Sequence, residues 1–359
     1  MNRVHNFSAG PAVLPLPVLK QAESELLNYQ QKGASIMEMS HRSPEYTAIN
    51  QQATERLKRI IGADDDWEVL FLQGGASTQF MMVPFNFLNK DRTANYIETG
   101  TWSTKAIKEA LNFGQVHLSF SGKERGFTSI PKNSELTFSP KAAYTHFTSN
   151  NTVAGTQFST EPDSNGSLLV CDASSDFLSR PVDLSRYGII YAGAQKNLGP
   201  AGVTVVLIRK SFLEKQISGT IPTILNYNTH IEKLFNTPPV FSVYMVSLVL
   251  EWVEKQGGLE YFEAFNTRKS ALLYDEIDRD EFYRGTVTPE SRSKMNVTFR
   301  LQNEELEEKF LKEAAENNLV NLKGHRSVGG VRASIYNACP EESVQALVDF
   351  MKEFRNKNG

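Results

Sequence analysis

The residues of this chain best placed for chemistry are Lys196 and Asp172. Lys196 lies in Tyr191-Ala192-Gly193-Ala194-Gln195-Lys196-Asn197-Leu198-Gly199-Pro200, just past an apolar run, among small residues and ahead of a Leu-Gly-Pro step. A chain of that composition turns sharply, so this lysine is not the kind that pairs along a helix surface. Upstream, Leu168-Leu169-Val170-Cys171 reads as a short buried strand that delivers Asp172 at its carboxyl end, where open α/β sheets bind ligands. The two residues are 196 − 172 = 24 apart, room for one connection and a second strand. An amine nucleophile and a fixed carboxylate are what pyridoxal phosphate requires. The lysine forms a Schiff base with the aldehyde, and the carboxylate keeps the pyridine nitrogen protonated so that the ring acts as an electron sink. On this stretch alone the plain alternative stays open: a solvated lysine and an aspartate capping a turn.

Anion-binding residue types recur elsewhere. The only two His-Arg dipeptides, His41-Arg42 and His325-Arg326, both fall in Ser/Gly-flanked breaks, and Arg332 follows Gly329-Gly330 on an expected strand. Arginine forks match phosphate and carboxylate oxygens, and an adjacent histidine adds a donor. Converging, these segments form a site for a substrate with both a phosphate and a carboxylate; taken singly, each reads equally as a surface residue. Gln73-Gly74-Gly75-Ala76-Ser77-Thr78 is a glycine-rich turn between an expected strand, Glu68–Leu72, and an expected helix, Gln79–Leu88. Backbone N–H groups at such a helix start hold phosphate, although neither a Walker loop nor a G-x-G-x-x-G fingerprint is present. Trp102 opens another helix, capped by Thr101 or Ser103, at the same sheet edge, where an indole can stack on a flat ring or pack in a core. Thr152 follows an apolar strand and offers a hydroxyl, and Asn236-Thr237 precede a stiff Pro238-Pro239 exit.

The elements that must position these residues follow from periodicity. An irregular arm comes first, then a helix from Val18 to Tyr29 stopped by Gly33, then a polar helix to Ile61. Strands at Thr93–Glu98, Val116–Phe120, Tyr144–Ser149, Ile189–Ala192 and Val203–Ile208 alternate with helices and loops, which argues for a mainly parallel, doubly covered sheet. Gly257-Gly258 divides a helix starting at Val240 from a second helix and marks a boundary. Beyond it, strand Asn296–Arg300, helix Glu304–Asn317, a strand ending at Ile335 and helix Pro340–Phe354 read as a smaller α+β domain.

The totals set limits. At 359 residues the chain holds about two domains. A net charge of −3 gives no global attraction to nucleic acid or an anionic membrane. Two cysteines, Cys171 and Cys339, cannot form a disulfide framework and suit a reducing compartment. No metal-ligand spacing, signal peptide or membrane-length apolar run is present, so a cytoplasmic protein is expected.

Together these segments resemble the phosphoserine aminotransferases, class V among the pyridoxal-phosphate enzymes of the aspartate aminotransferase fold type. The resemblance runs through Asn6-Phe7-Ser8-Ala9-Gly10-Pro11, Met39-Ser40-His41-Arg42-Ser43, Gln73-Gly74-Gly75, the Lys196 stretch, and Gly324 to Ser334, nearly the whole chain. It implies an α/β fold: a large domain, residues 16–258, on a mainly parallel sheet of the seven-stranded type with helices on both faces. It also implies a smaller α+β domain, residues 259–359, and an N-terminal arm, residues 1–15. By the same resemblance Lys196 bonds pyridoxal 5′-phosphate, Asp172 holds the pyridinium nitrogen, Trp102 stacks on the ring and Thr152 lies beside it. Ala76, Ser77 and Gln195 bind the cofactor phosphate, and Asn236 and Thr237 reach it from the second subunit of a homodimer with shared active sites. His41, Arg42, His325 and Arg326 hold the substrate phosphate or the side-chain carboxylate of glutamate; Arg332 takes the α-carboxylate, and Ser8 touches substrate. In one departure, some family members carry an arginine where this chain has Ser77.

The implied reaction exchanges the amino group between O-phospho-L-serine and 2-oxoglutarate, giving 3-phosphohydroxypyruvate and L-glutamate, in serine biosynthesis. Phosphorylated 4-hydroxythreonine, an intermediate toward pyridoxine, is a second substrate the resemblance leaves open. Two other classes compete. A lyase such as a cysteine desulfurase needs a mobile nucleophilic cysteine, whereas Cys171 falls in a buried strand and Cys339 precedes Pro340. A cofactor-binding regulator without turnover lacks any basic extension here.

Overall fold

The computed structural model describes residues 3–217, 219 and 221–359, so Met1 and Asn2 of the expected arm lie outside it. Seven strands form the main sheet: β1 (Trp67–Leu72), β2 (Thr93–Glu98), β3 (Gln115–Ser121), β4 (Thr145–Thr148), β5 (Leu169–Asp172), β6 (Tyr187–Gly193) and β7 (Thr204–Arg209). Their spatial order is β1-β7-β6-β5-β4-β2-β3. Strand β7 runs antiparallel to both neighbours, and every other pair is parallel.

Apolar runs such as Val205-Val206-Leu207-Ile208 arise because both faces of this sheet are covered. Val205 and Leu207 enter one core with Ile190 and Cys171, whereas Val206 and Ile208 enter the opposite core with Ile189 and Val170. On the first face lie helices α1 (Leu16–Glu25), α2 (Pro44–Ile61) and α5 (Val240–Gln256); on the other lie α3 (Gly75–Phe87) and α4 (Thr101–Ala110). Each fully buried aliphatic side chain contributes roughly 1.5–3 kcal/mol relative to exposure. Charged insertion in these strands therefore works against the fold.

Helix α6 (Gly258–Ile277) bridges two cores. Its Leu259 and Phe262 belong to the first sheet face, while Leu273 and Ile277 join a C-terminal core with α7 (Glu304–Glu316) and α8 (Glu341–Asn358). That C-terminal core is covered by a three-stranded antiparallel sheet of β8 (Arg284–Gly285), β9 (Asn296–Arg300) and β10 (Val331–Ser334). The arm is stitched onto it: His5 and Asn6 pair in parallel with Leu319 and Val320, and Phe7 is fully buried there. Among the described residues no helix is long and apolar enough to cross a membrane.

Three local expectations shift. The first helix stops at Glu25, short of Tyr29, because the Asn28 side chain accepts the Gly33 N–H at 2.8 Å and closes a competing turn. Tyr29 still reaches the core, its ring edge-on to Tyr244 at 5.8 Å. The helix expected from Gln79 starts at Gly75, since the Thr78 N–H and hydroxyl both return to the Gly74 carbonyl. Neither Thr101 nor Ser103 is the N-cap of α4; Gly100 is, and Ser103 reaches back to accept the N–H groups of Thr99 and Gly100.

Candidate active site

Parallel strands all point their carboxyl ends to one edge, and a loop leaving that edge inherits the position. Strand β5 ends at Asp172 and β6 leads into Lys196; β4 leads to Thr152, β2 to Trp102, and β1 to the turn at Gln73. Because β7 runs back antiparallel beside β6, the stretch between them must reverse tightly. Ala194 N–H donates to Val203 O at 3.0 Å, and Leu198 and Gly199 both return to Ala194 O. This reversal holds Lys196 off the sheet and over the edge.

There the Lys196 amine donates to Thr152 Oγ1 at 2.7 Å and stands 5.8 Å from the centre of the Trp102 ring. Enclosure by protein removes water from the ammonium and lowers its pKa to about 8, although Asp172 pulls the other way; Arg332 adds to the lowering. An amine that gives up its proton near neutral pH serves both as nucleophile and as proton carrier. Asp172 is buried, and burial raises its pKa; hydrogen bonds from Ser174 and the charge of Lys196 oppose that rise. Ser174 holds one carboxylate oxygen with its N–H at 3.0 Å and its hydroxyl at 2.6 Å, and its oxygen accepts Gly193 N–H at 3.1 Å. Ser174 was missed by sequence reasoning. The Asp-x-Ser pattern, a common side-chain-to-backbone turn, is the signal that points to it.

Thr152 is the junction of the site. Its hydroxyl meets Lys196, and its carbonyl accepts Arg332 Nη1 at 3.1 Å. Arg332 on β10 is thereby brought to the amine from 332 − 196 = 136 residues along the chain. Burial lowers the His325 pKa, and the nearby cations Arg332, Arg326 and Lys105 lower it further. His325 Nδ1 and the Ser327 hydroxyl share a 2.7 Å hydrogen bond that orients the ring. The arm closes the site from the other side. Tyr336 OH donates to Ala9 O at 2.8 Å, Ala12 N–H donates to Gln195 O at 2.9 Å, and Ser8 Oγ accepts Gly10 N–H at 3.4 Å. A Cβ at Gly10 would stand 3.5 Å from Lys196 Cγ, and its φ of +143° also favours glycine. Tyr336 was missed as well and, unlike Ser174, carries no sequence signal, since only the folded arm gives its hydroxyl a partner.

At the turn after β1, Ala76 and Ser77 occupy the first turn of α3, with their N–H groups at its positive end. Position 74 must be glycine: a Cβ there would fall 2.0 Å from Thr78 Oγ1. Asn236 Nδ2 donates to Gln73 Oε1 at 2.6 Å, and Gln73 Nε2 donates to Thr237 O at 3.2 Å, so both residues sit at the rim of their own chain's turn. His41 and Arg42 are different. They lie in the turn before α2, and among the described residues neither side chain makes a hydrogen bond or ion pair.

An enclosed amine, a buried carboxylate, a helix N-terminus and an indole whose Nε1 is buried without a partner suit a flat, phosphate-bearing aldehyde. Such a site at the carboxyl edge of this sheet is an aminotransferase's, and the chain belongs to the class-V aminotransferase family, whose model matches residues 4–347. Within that family its relatives are phosphoserine aminotransferases. The one from Desulfatibacillum aliphaticivorans is 53% identical over 362 residues, covering 100% of this chain and 99% of the relative. The structure of the phosphoserine aminotransferase from Bacillus circulans subsp. alkalophilus is 50% identical with a TM-score of 0.97, covering 99% of both chains. A phosphoserine aminotransferase from Trichomonas vaginalis, solved with pyridoxal phosphate bound, is 37% identical with a TM-score of 0.93, over 98% of this chain and 100% of that one.

Proposed function

We propose that the chain catalyses reversible amino transfer between O-phospho-L-serine and 2-oxoglutarate, giving 3-phosphohydroxypyruvate and L-glutamate, in serine formation and with pyridoxal 5′-phosphate as cofactor. The observation that carries this reading is the double use of Thr152, which ties the Lys196 amine to Arg332, the arginine best placed for an α-carboxylate. Bound, the cofactor supplies an aldehyde that takes up the amino group and a ring that accepts the electron pair left when the α-proton departs. With the cofactor bound, Trp102 would flank its ring, Asp172 would hold the protonated ring nitrogen, and the first turn of α3 with Gln195 would hold its phosphate. Arg332 orients the substrate by its carboxylate so that the α-hydrogen faces Lys196. Lys196 would take that proton as base and, as acid, hand it to the carbon of the former aldehyde, on the far side of the nitrogen. His325 and Arg326 take the substrate phosphate, and Ser8 in the arm closes over it.

The same reading gives His41, Arg42, Asn236 and Thr237 to the site of a second copy in a homodimer. Both segments are bordered by exposed apolar side chains, Met37 by the first and Leu234 and Phe235 by the second, as surfaces covered by a partner are. Mixing Lys196→Ala with Arg42→Ala, each inactive alone, should then restore activity through hybrid dimers carrying one intact site; no recovery after refolding the mixture removes the shared site. We take residues 16–258 and 259–359 as its two domains, and the cytoplasm as its compartment because both cysteines are free and buried. Those cysteines also leave the lyase alternative without a nucleophile: burial pushes Cys171 well up and Cys339 to about 11.

The test is the visible spectrum of the holoenzyme. Phosphoserine alone should bleach the yellow band, L-serine should not, and 2-oxoglutarate should bring the band back. A band indifferent to phosphoserine rejects the substrate, and no band after adding the cofactor rejects the assignment of Lys196.

A further inference from the structure

Of the cations around His325, Lys105 alone has no role in the reaction derived above. Lys105 lies on α4, four residues after Thr101 and three after Trp102, and these spacings share one face of a helix. Thr101 lines a cavity of about 210 Å³ together with His325 and Arg332, so that face of α4 looks onto the loop carrying the substrate cations. The Lys105 side chain leans back toward the helix start, as long helical side chains do, and its ammonium stands 4.4 Å from the centre of the Trp102 ring. It is exposed, and among the described residues no carboxylate lies within ion-pair reach of it. Glu109, one turn further along the helix, is the obvious partner, yet the side chain turns away from it. An unpaired ammonium held beside a ring wall, whose charge reaches His325 together with those of Arg326 and Arg332, raises the cost of a site without an anion. That like-charge crowding is relieved only when substrate brings negative charge.

We propose that Lys105 is a further substrate-binding residue, whose ammonium draws in the phosphate of phosphoserine in preference to the side-chain carboxylate of glutamate. The proposal rests on the phosphoserine reading and deepens it. The physical ground is charge. A phosphomonoester carries close to two negative charges near neutrality and a carboxylate one, so an exposed point charge on a flexible stem favours the first without needing directed hydrogen bonds. His325 and Arg326 hold the group geometrically, and Lys105 weights the choice between the two amino donors that share the site.

The experiment titrates the holoenzyme with phosphoserine and, separately, with glutamate, following the cofactor band, for wild type, Lys105→Gln and Lys105→Arg. In Lys105→Gln the apparent Kd for phosphoserine should rise roughly 3- to 10-fold and that for glutamate less than about 2-fold. Lys105→Arg should recover most of the loss. Raising the salt to about 0.5 M should narrow the gap between wild type and Lys105→Gln, because an exposed charge is screened. Equal weakening of both substrates overturns the proposal, as does a gap that persists in high salt. A resting cofactor band displaced in Lys105→Gln also overturns it, since Lys105 then acts by supporting Trp102. If wild type itself ignores phosphoserine while responding to glutamate, the reaction reading fails first and this proposal falls with it.

Discussion

Lys196→Ala is expected to lower kcat for amino transfer by roughly 10⁴-fold or more, with little loss of folded protein. One side chain is being asked for two services. As a nucleophile it activates the cofactor carbonyl, and as an acid–base group it moves the α-proton, a service worth about 10²–10⁴-fold by itself. The structure shows why no neighbour takes over. Thr152 Oγ1, 2.7 Å from the amine, is a neutral hydroxyl, and Arg332 and Trp102 cannot accept a proton at working pH. Folding should tolerate the change because the amine's desolvation, which lowers its pKa to about 8, is a cost that alanine removes. Asp172 loses a favourable charge in exchange. Steady-state and single-turnover rates, with circular dichroism as the check on folding, decide it. A loss under about tenfold in a folded variant contradicts the role of Lys196.

Asp172→Asn should lower kcat by about 10²–10³-fold, the range seen when one preorganised electrostatic partner is removed from a reacting centre. Asparagine keeps the shape and an oxygen that can still accept the Ser174 N–H and hydroxyl, so the loop should keep its geometry. What it cannot do is carry the negative charge that keeps a ring nitrogen protonated. Without substrate and cofactor the charge is a burden: burial already raises the pKa of Asp172. Replacing a buried carboxylate by a neutral isostere is often neutral or stabilising. The expected pattern is therefore a protein that melts no earlier than wild type without cofactor, binds cofactor more weakly, and turns over far more slowly. Activity within about tenfold of wild type sinks the electrostatic role, and a fall in melting temperature of the cofactor-free form shows Asp172 to be structural instead.

Neither variant tests the sheet that holds these groups, and there the local signals proved sound. The apolar runs became the strands they implied because alternation between two covered faces is a property of each strand alone; Val206 and Leu207 need only a core on either side. Where local chemistry competed, periodicity misled. Asn28 closed a turn that cut the first helix short, and Thr78 drew Gly75 into a helix expected to begin later.

By itself the sequence determined which residues sit at strand ends and in tight turns: Lys196 beyond β6, Asp172 at the end of β5, and Gly74-Gly75 at the head of a helix. These depend on contacts a few residues apart, so composition and period carry them. Only the tertiary structure decided what those residues meet. The order β1-β7-β6-β5-β4-β2-β3 sets β6 beside β5 and β5 beside β4, and that adjacency puts Thr152 between Lys196 and Arg332. The arm reaches Lys196 because His5 and Asn6 found a strand more than 300 residues away. Tyr336 under the arm follows the same rule, its hydroxyl meeting Ala9 O across 336 − 9 = 327 residues. Convergence is set by pairings and core packing across long closed loops, whose energies depend on the whole chain and leave no local period to read.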